Sequence, residues 1–180
     1  MKLILVTGGV RSGKSGFAEE VSARAGESVL YVATGVNTDK EMEARIQSHR
    51  DRRPSHWGCI ETPYDLPMDV GVYQNYPVVL FDCFSTWVTN QMMRIPEGEM
   101  GKEKWTDAIL QGVDDWLTTM EAYEGIVVAV TSEVGLGGVA MSSLGRWFQD
   151  VQGAVNQKLG VKANEVYMVV SGIPWKVKGD

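Results

Sequence analysis

Chemistry that needs soft ligands has little to work with in this 180-residue chain, which holds two cysteines and two histidines. Cys59 and Cys83 lack metal-ligand spacing, and nothing in the sequence marks export to an oxidising compartment. Both are therefore expected to be reduced thiols, small apolar fillers near strand ends, in a cytoplasmic protein. Long hydrophobic runs are missing too. No stretch approaches the roughly 18 apolar residues of a membrane span, and Met1 to Thr7 is too short, with glycines following at once, for a signal peptide. Positive charge is in deficit, with a net charge of −6. That excludes a general nucleic-acid binder, which needs a basic face to displace counterions, but leaves room for a small anionic ligand met by a local cationic cluster. There is no internal repeat and no linker. With 44% hydrophobic and 22% charged residues, the composition fits one globular domain over residues 1–180 with a single core.

What is present is an alternation of apolar runs and helical patterns. Lys2–Thr7, Ser28–Ala33, Val78–Asp82, Ile126–Thr131 and Glu165–Val170 read as buried strands, the last of these closing the sheet, with a short strand over Cys59–Thr62. Helices are expected over Lys14–Arg24, Thr86–Arg94, Trp105–Tyr123 and Met141–Leu159. Another should run from about Asp39 to Arg52, opened by the capping box Thr38-Asp39-Lys40-Glu41 and ended by Pro54. A short helix near Asp65–Tyr73 is weakly signalled, and Ile95–Lys104 reads as a mobile surface loop. Ile109, Val113, Trp116, Leu117 and Met120 recur on one helical face and are read as a core stripe. Continuous apolar strands alternating with helices predict an α/β fold, a mostly parallel sheet flanked by helices. Ligands of such sheets bind beyond the carboxyl ends of the strands. That rule gathers Gly8–Ser15, Thr34-Gly35, Asp82, Ser132-Glu133 and Ser171-Gly172 on one edge.

The most informative stretch is Gly8-Gly9-Val10-Arg11-Ser12-Gly13-Lys14-Ser15, a G-x-x-x-x-G-K-S phosphate-binding loop placed between the first strand and the first helix. Backbone N–H groups of such a loop point inward and cradle a di- or triphosphate at the helix N-terminus. Lys14 would reach the β- and γ-phosphates, and Ser15 would hold Mg²⁺. The pattern, after a strand and before a helix, reads as the nucleotide-binding loop of a P-loop NTPase, without saying which nucleotide binds or what is done to it.

Further candidates surround that loop. Asp82, closing an apolar strand, stands where phosphate-loop proteins keep the acidic group that meets Mg²⁺ directly or through water; a helix-capping role is the alternative, and Ser85 or Thr86 could fill that cap as well. Glu61 could accept from the N–H edge of a guanine. Arg45, His49 and Arg52 fall at i, i+4 and i+7 and share a helix face, flanked by Arg50 and Arg53. A solvated basic face is one reading. In the other, like charges favour the neutral imidazole, which attacks a phosphate held by the same arginines. His56, in Pro54-Ser55-His56-Trp57, is read as structural.

Taken together, Thr7–Ser15, Tyr31–Thr34, Glu41-Met42 with Arg45–Pro54, Asp82-Cys83, Val88–Asn90, Glu133–Gly135, Gly153–Gln157 and Val170–Ile173 resemble the bifunctional adenosylcobinamide kinase and adenosylcobinamide-phosphate guanylyltransferase family of cobalamin synthesis. The resemblance spans essentially the whole chain, and the His-Arg-x-x-Arg-Pro element is its specific part. It implies phosphorylation of adenosylcobinamide by a nucleoside triphosphate, GTP or ATP. It further implies attack of His49 on the α-phosphate of GTP and passage of GMP to adenosylcobinamide phosphate. Arg50, Asp51, Arg52, Arg53, Ala33, Thr34, Gly35, Glu61 and Asp82 would contact the guanine nucleotide, in a RecA-like homotrimer. The chain departs from the family where Ser132 replaces the usual asparagine and where the usual proline is replaced near Val139-Ala140. A kinase without GMP transfer and a non-catalytic GTP-binding switch are the rival readings.

Overall fold

A computed structural model describes residues 1–36 and 54–179. Among the described residues seven strands form one sheet: β1 (Lys2–Gly8), β2 (Val29–Ala33), β3 (Gly58–Glu61), β4 (Val78–Asp82), β5 (Ile126–Val130), β6 (Glu165–Val170) and β7 (Ile173–Lys178), in spatial order β3-β2-β4-β5-β1-β6-β7. All pairings are parallel except β6 with β7. β1 is an interior strand, flanked by β5 and β6, and its apolar residues on both faces, Leu3, Ile4, Leu5 and Val6, are all buried. Helix α1 (Lys14–Ala25) lies on one face, against Ile4, Val6, Tyr31, Leu80 and Val128. Helices α2 (Phe84–Met93), α3 (Glu103–Met120) and α4 (Ser143–Lys162) cover the other, over Leu3, Leu5, Val32, Phe81 and Ala129. Among the described residues no helix is long and apolar enough to cross a membrane.

The predicted stripe of α3 is buried at Ile109, Val113, Trp116, Leu117 and Met120. Other expectations need correction. Glu165–Val170 does not close the sheet: Ser171 and Gly172, at φ 52° and 80°, make a two-residue turn into β7. The edge position of β7 tolerates Pro174, which cannot donate to a ladder. Helix α2 begins two residues before Thr86, because Phe84 in its first turn stacks on Phe81 at 4.4 Å between ring centres and meets Trp116 edge-on. The weakly signalled helix near Asp65–Tyr73 shrinks to one 3₁₀ turn, Val70–Val72, whose Gly71 N–H donates to Asp69. Between Ile95 and Lys104 the chain holds one 3₁₀ turn, Glu97–Glu99; Ile95 is buried and Glu99 pairs with Lys102 and Lys104. Cys59 is exposed on edge strand β3, so it fills no core; Cys83 follows β4 and is half-buried. The helix expected over Asp39–Arg52 lies outside the described residues.

Candidate active site

Residues 8–15 leave the carboxyl end of β1 and turn into α1 through Gly13, whose φ of 95° is a left-handed conformation. A Cβ on Gly13 would come within 3.2 Å of the Gly172 Cα, so both the backbone angle and the space require glycine. Among the described residues no side chain caps α1, and its first turn carries no acidic residue. The free N–H groups and the positive end of the helix dipole therefore face the loop without a competing carboxylate. Lys14 Nζ donates to the Gly9 carbonyl at 3.1 Å, and Ser12 N–H to the same oxygen at 3.2 Å, which folds the loop around the ammonium. Arg11, at φ 58°, and Val10 are exposed on its outer rim. Ser12 Oγ is buried without a hydrogen-bond partner among the described residues, a polar group inside the cradle still able to bond.

Ser15, in the first turn of α1, donates its hydroxyl to Asp82 Oδ1 at 3.4 Å, and the Tyr31 phenol donates to Asp82 Oδ2 at 2.7 Å. Asp82 is thus aimed across the sheet at the phosphate loop. It does not cap α2, whose N-cap is Cys83. Burial and then the neighbouring charge of Asp82 push the Cys83 thiol up. A hydroxyl and a carboxylate at this separation are hard oxygen donors suited to Mg²⁺. Among the described residues no group of three or more His, Cys, Asp or Glu could hold a metal. One carboxylate completed by substrate phosphates and water is the usual manner of holding Mg²⁺.

Thr34 fastens the ends of β2 and β4 together. Its hydroxyl accepts from Cys83 N–H at 2.8 Å and donates to the Cys83 carbonyl at 2.9 Å, while Asn90 Nδ2 donates to the Thr34 carbonyl at 2.8 Å. The Ala33 carbonyl accepts from Thr62 N–H at 2.8 Å. Gly35 follows, half-buried, just before the undescribed segment. Glu61 is exposed at the end of β3, four strand positions from β1, or about 19 Å at about 4.8 Å per strand. Glu61 thus stands at the far end of the carboxyl edge from the phosphate loop, about the reach of an extended nucleoside triphosphate. His49 and residues 50–53, expected to carry the nucleotide contacts, lie outside the described residues. His56 is exposed beyond the start of β3.

One group was not assigned a role from the sequence. Glu133 follows β5, the strand between β1 and β4. Its Oε1 accepts from Thr7 Oγ1 at 2.9 Å and from Asn156 Nδ2 at 3.1 Å. Asn156 is held in turn: its Oδ1 accepts from the Thr131 hydroxyl at 2.6 Å and from Gln152 Nε2 at 2.8 Å. Gln152, fully buried on α4, was legible only as a polar interruption of an apolar helical face.

Comparison with known proteins fits this arrangement. Two solved structures share the fold at low identity. A KaiC-like protein from Pyrococcus horikoshii superposes with a TM-score of 0.50 at 13% identity, covering 93% of this chain and 70% of that one. An ATPase from the type III secretion system of pathogenic bacteria does so with a TM-score of 0.57 at 9% identity, covering 93% and 50%. The fold is that of the P-loop NTPases. The bifunctional adenosylcobalamin biosynthesis proteins CobU of Escherichia coli and of Salmonella typhimurium are each 41% identical, over 98% of this chain and 99% of their own. The corresponding protein CobP of Pseudomonas aeruginosa is 33% identical over 98% of this chain and 97% of its own. The family model described as cobinamide kinase / cobinamide phosphate guanyltransferase matches residues 4–177, and the chain belongs to that family.

Proposed function

We propose that this chain is a two-step transferase of cobalamin synthesis, first phosphorylating adenosylcobinamide and then transferring GMP from GTP to the adenosylcobinamide phosphate. The observation that carries the reading is the phosphate loop of residues 8–15 facing Asp82, in a chain matched over nearly its whole length by the family. In the first step the loop and Lys14 hold the triphosphate while the γ-phosphoryl group passes to the substrate hydroxyl. Ser15 and Asp82 would hold Mg²⁺, which neutralises charge on the phosphates when bound.

In the second step His49 is the nucleophile. Its neutral imidazole forms a bond to the α-phosphorus of GTP, the bond to the bridging oxygen breaks, and pyrophosphate leaves. The cobinamide phosphate oxygen then displaces the imidazole, giving adenosylcobinamide-GDP. Arg50, Asp51, Arg52 and Arg53 supply guanine-nucleotide contacts around His49, and Ala33, Thr34, Gly35, Glu61 and Asp82 line the same nucleotide's path along the sheet edge. The backbone carbonyls of Ala33 and Thr34 already accept hydrogen bonds within the fold, which leaves packing and the Gly35 backbone as the simplest means of contact there. The working assembly is a homotrimer in the cytoplasm.

The test is incubation with α-labelled GTP. Wild type should acquire acid-labile, base-stable label and release pyrophosphate, and His49→Ala should acquire none. Label persisting on His49→Ala would overturn the nucleophile assignment. Phosphorylation of adenosylcobinamide without any GMP–enzyme in the wild type would leave a simple kinase, and GTP binding without turnover would leave a switch.

A further inference from the structure

The carboxylate of Glu133 stands at the carboxyl edge among the described residues, and the reading above does not use it. It follows β5, so it stands in the gap between the phosphate loop at the end of β1 and Asp82 at the end of β4. Its backbone N–H donates to the Gly8 carbonyl at 3.1 Å, and its Oε1 accepts from Thr7 and Asn156. Thr7 and Gly8 are the last residues of β1, so the carboxylate is referenced directly to the start of the loop. Asn156 is fixed behind it by Thr131 and Gln152 and by donation to the Ser132 carbonyl at 3.0 Å. Oε2 accepts no hydrogen bond, and no cation pairs with Glu133, among the described residues.

An unpaired, half-buried carboxylate repels the phosphates that the loop is built to attract. For mere cohesion of β1, β5 and α4 a neutral glutamine would serve without that repulsion. A carboxylate with one oxygen fully oriented and the other open is the arrangement of a general base. Resting on the phosphoryl-transfer half of the proposed function, we propose that Glu133 is the general base of the kinase step, with Thr7 and Asn156 as positioning residues. Oε2 takes the proton of the acceptor hydroxyl as the alcohol oxygen bonds to the γ-phosphorus. The bond from that phosphorus to the β–γ bridging oxygen breaks, its electron pair leaves with the nucleoside diphosphate, and the proton later passes to water. GMP transfer does not use Glu133, because a neutral imidazole attacks through its own lone pair.

The two half-reactions give an internal control in the full-length protein. Glu133→Gln keeps an acceptor for Thr7 and Asn156 but cannot take a proton. Its kcat for cobinamide phosphorylation should fall by about 10² to 10⁴ with KM for the nucleotide unchanged or lower, while GMP–enzyme forms from α-labelled GTP as in wild type. Glu133→Asp, which keeps a shorter base, should retain more kinase activity than Glu133→Gln. Thr7→Val should lower kcat by a smaller factor at unchanged KM. A Glu133→Gln kcat within about threefold of wild type overturns the assignment, as does equal loss of both half-reactions, which would mark a purely structural role. A wild type that forms GMP–enzyme but phosphorylates no cobinamide would overturn the kinase reading and the base with it, whereas an active wild type leaves the variants alone to decide.

Discussion

Gly172 donates its backbone N–H to the Ser12 carbonyl at 2.8 Å, so the turn between β6 and β7 buttresses the phosphate loop from the side. The two glycines that meet there have different reasons to be glycine. Gly13 has both a left-handed φ and a neighbour at 3.2 Å, whereas Gly172 has the left-handed φ with open space around it. Gly13→Ala should therefore distort the loop and weaken GTP binding at least tenfold by calorimetry. Gly172→Ala should cost only backbone strain, about 1 kcal/mol, lowering Tm by about 2–4 °C with GTP affinity nearly intact. Equal losses of affinity in both variants would refute the distinction.

Among the described residues the Lys14 ammonium hydrogen-bonds to the Gly9 carbonyl, so its truncation should be a binding defect and not a folding one. Lys14→Ala is expected to keep Tm within about 2 °C of wild type, while binding of GTP weakens and both phosphorylation and GMP–enzyme formation fall together. Selective loss of one half-reaction would mean that the two steps do not share this loop.

Glu165 ties β1 to the β6–β7 hairpin: it pairs with Lys2 at 2.6 Å and Lys176 at 3.3 Å and accepts from the Tyr167 phenol at 2.7 Å. The Lys2 contact first, and then Tyr167, hold its carboxyl down to about 2. An unfolded glutamate titrates near about 4.3. The stabilisation is therefore complete above about pH 4.3 and is lost as pH falls through about 2. In urea unfolding, the stability gap between wild type and Glu165→Gln should narrow between pH 6 and pH 3. A gap of constant size would show that the pairing contributes nothing through charge.

The two thiols should differ in reactivity. Cys59 is exposed on the edge strand, whereas the Cys83 thiol is pushed up by burial and by Asp82 and sits against the Thr86 hydroxyl at 3.1 Å. Near neutral pH a thiol reagent should label exposed Cys59 much faster than half-buried Cys83, with peptide mapping as the readout. Labelling of Cys83 as fast as that of Cys59 in the native protein would contradict the distinction.

The strands that form the centre of the sheet were legible because they are continuous apolar runs, and the loop of residues 8–15 was legible because its spacing is itself the mechanism. What escaped reading depends on partners distant in sequence. β7 alternates apolar and charged residues around Pro174, a weak signal whose meaning comes from the Ser171-Gly172 turn. The early start of α2 comes from Phe84 finding Phe81 and Trp116. The latch of Thr34 on Cys83, and the chain of bonds from Gln152 through Asn156 to Glu133, join residues with no local pattern in common. The same holds for Tyr31, which reads as one more apolar strand residue until its phenol is seen on Asp82.

The position of β1 also has a kinetic consequence. Lys2 is paired with Ile126 on one side and Ile4 with Glu165 on the other, so the first strand in the sequence has both of its neighbours more than a hundred residues away. Closing such long loops is entropically unfavourable until the contacts that reward it are made, which makes folding slow and strongly cooperative. The loop of residues 8–15 grows from that same strand and leans on the turn after β6. Completion of the loop is therefore expected late in refolding, after β1 has paired with both β5 and β6.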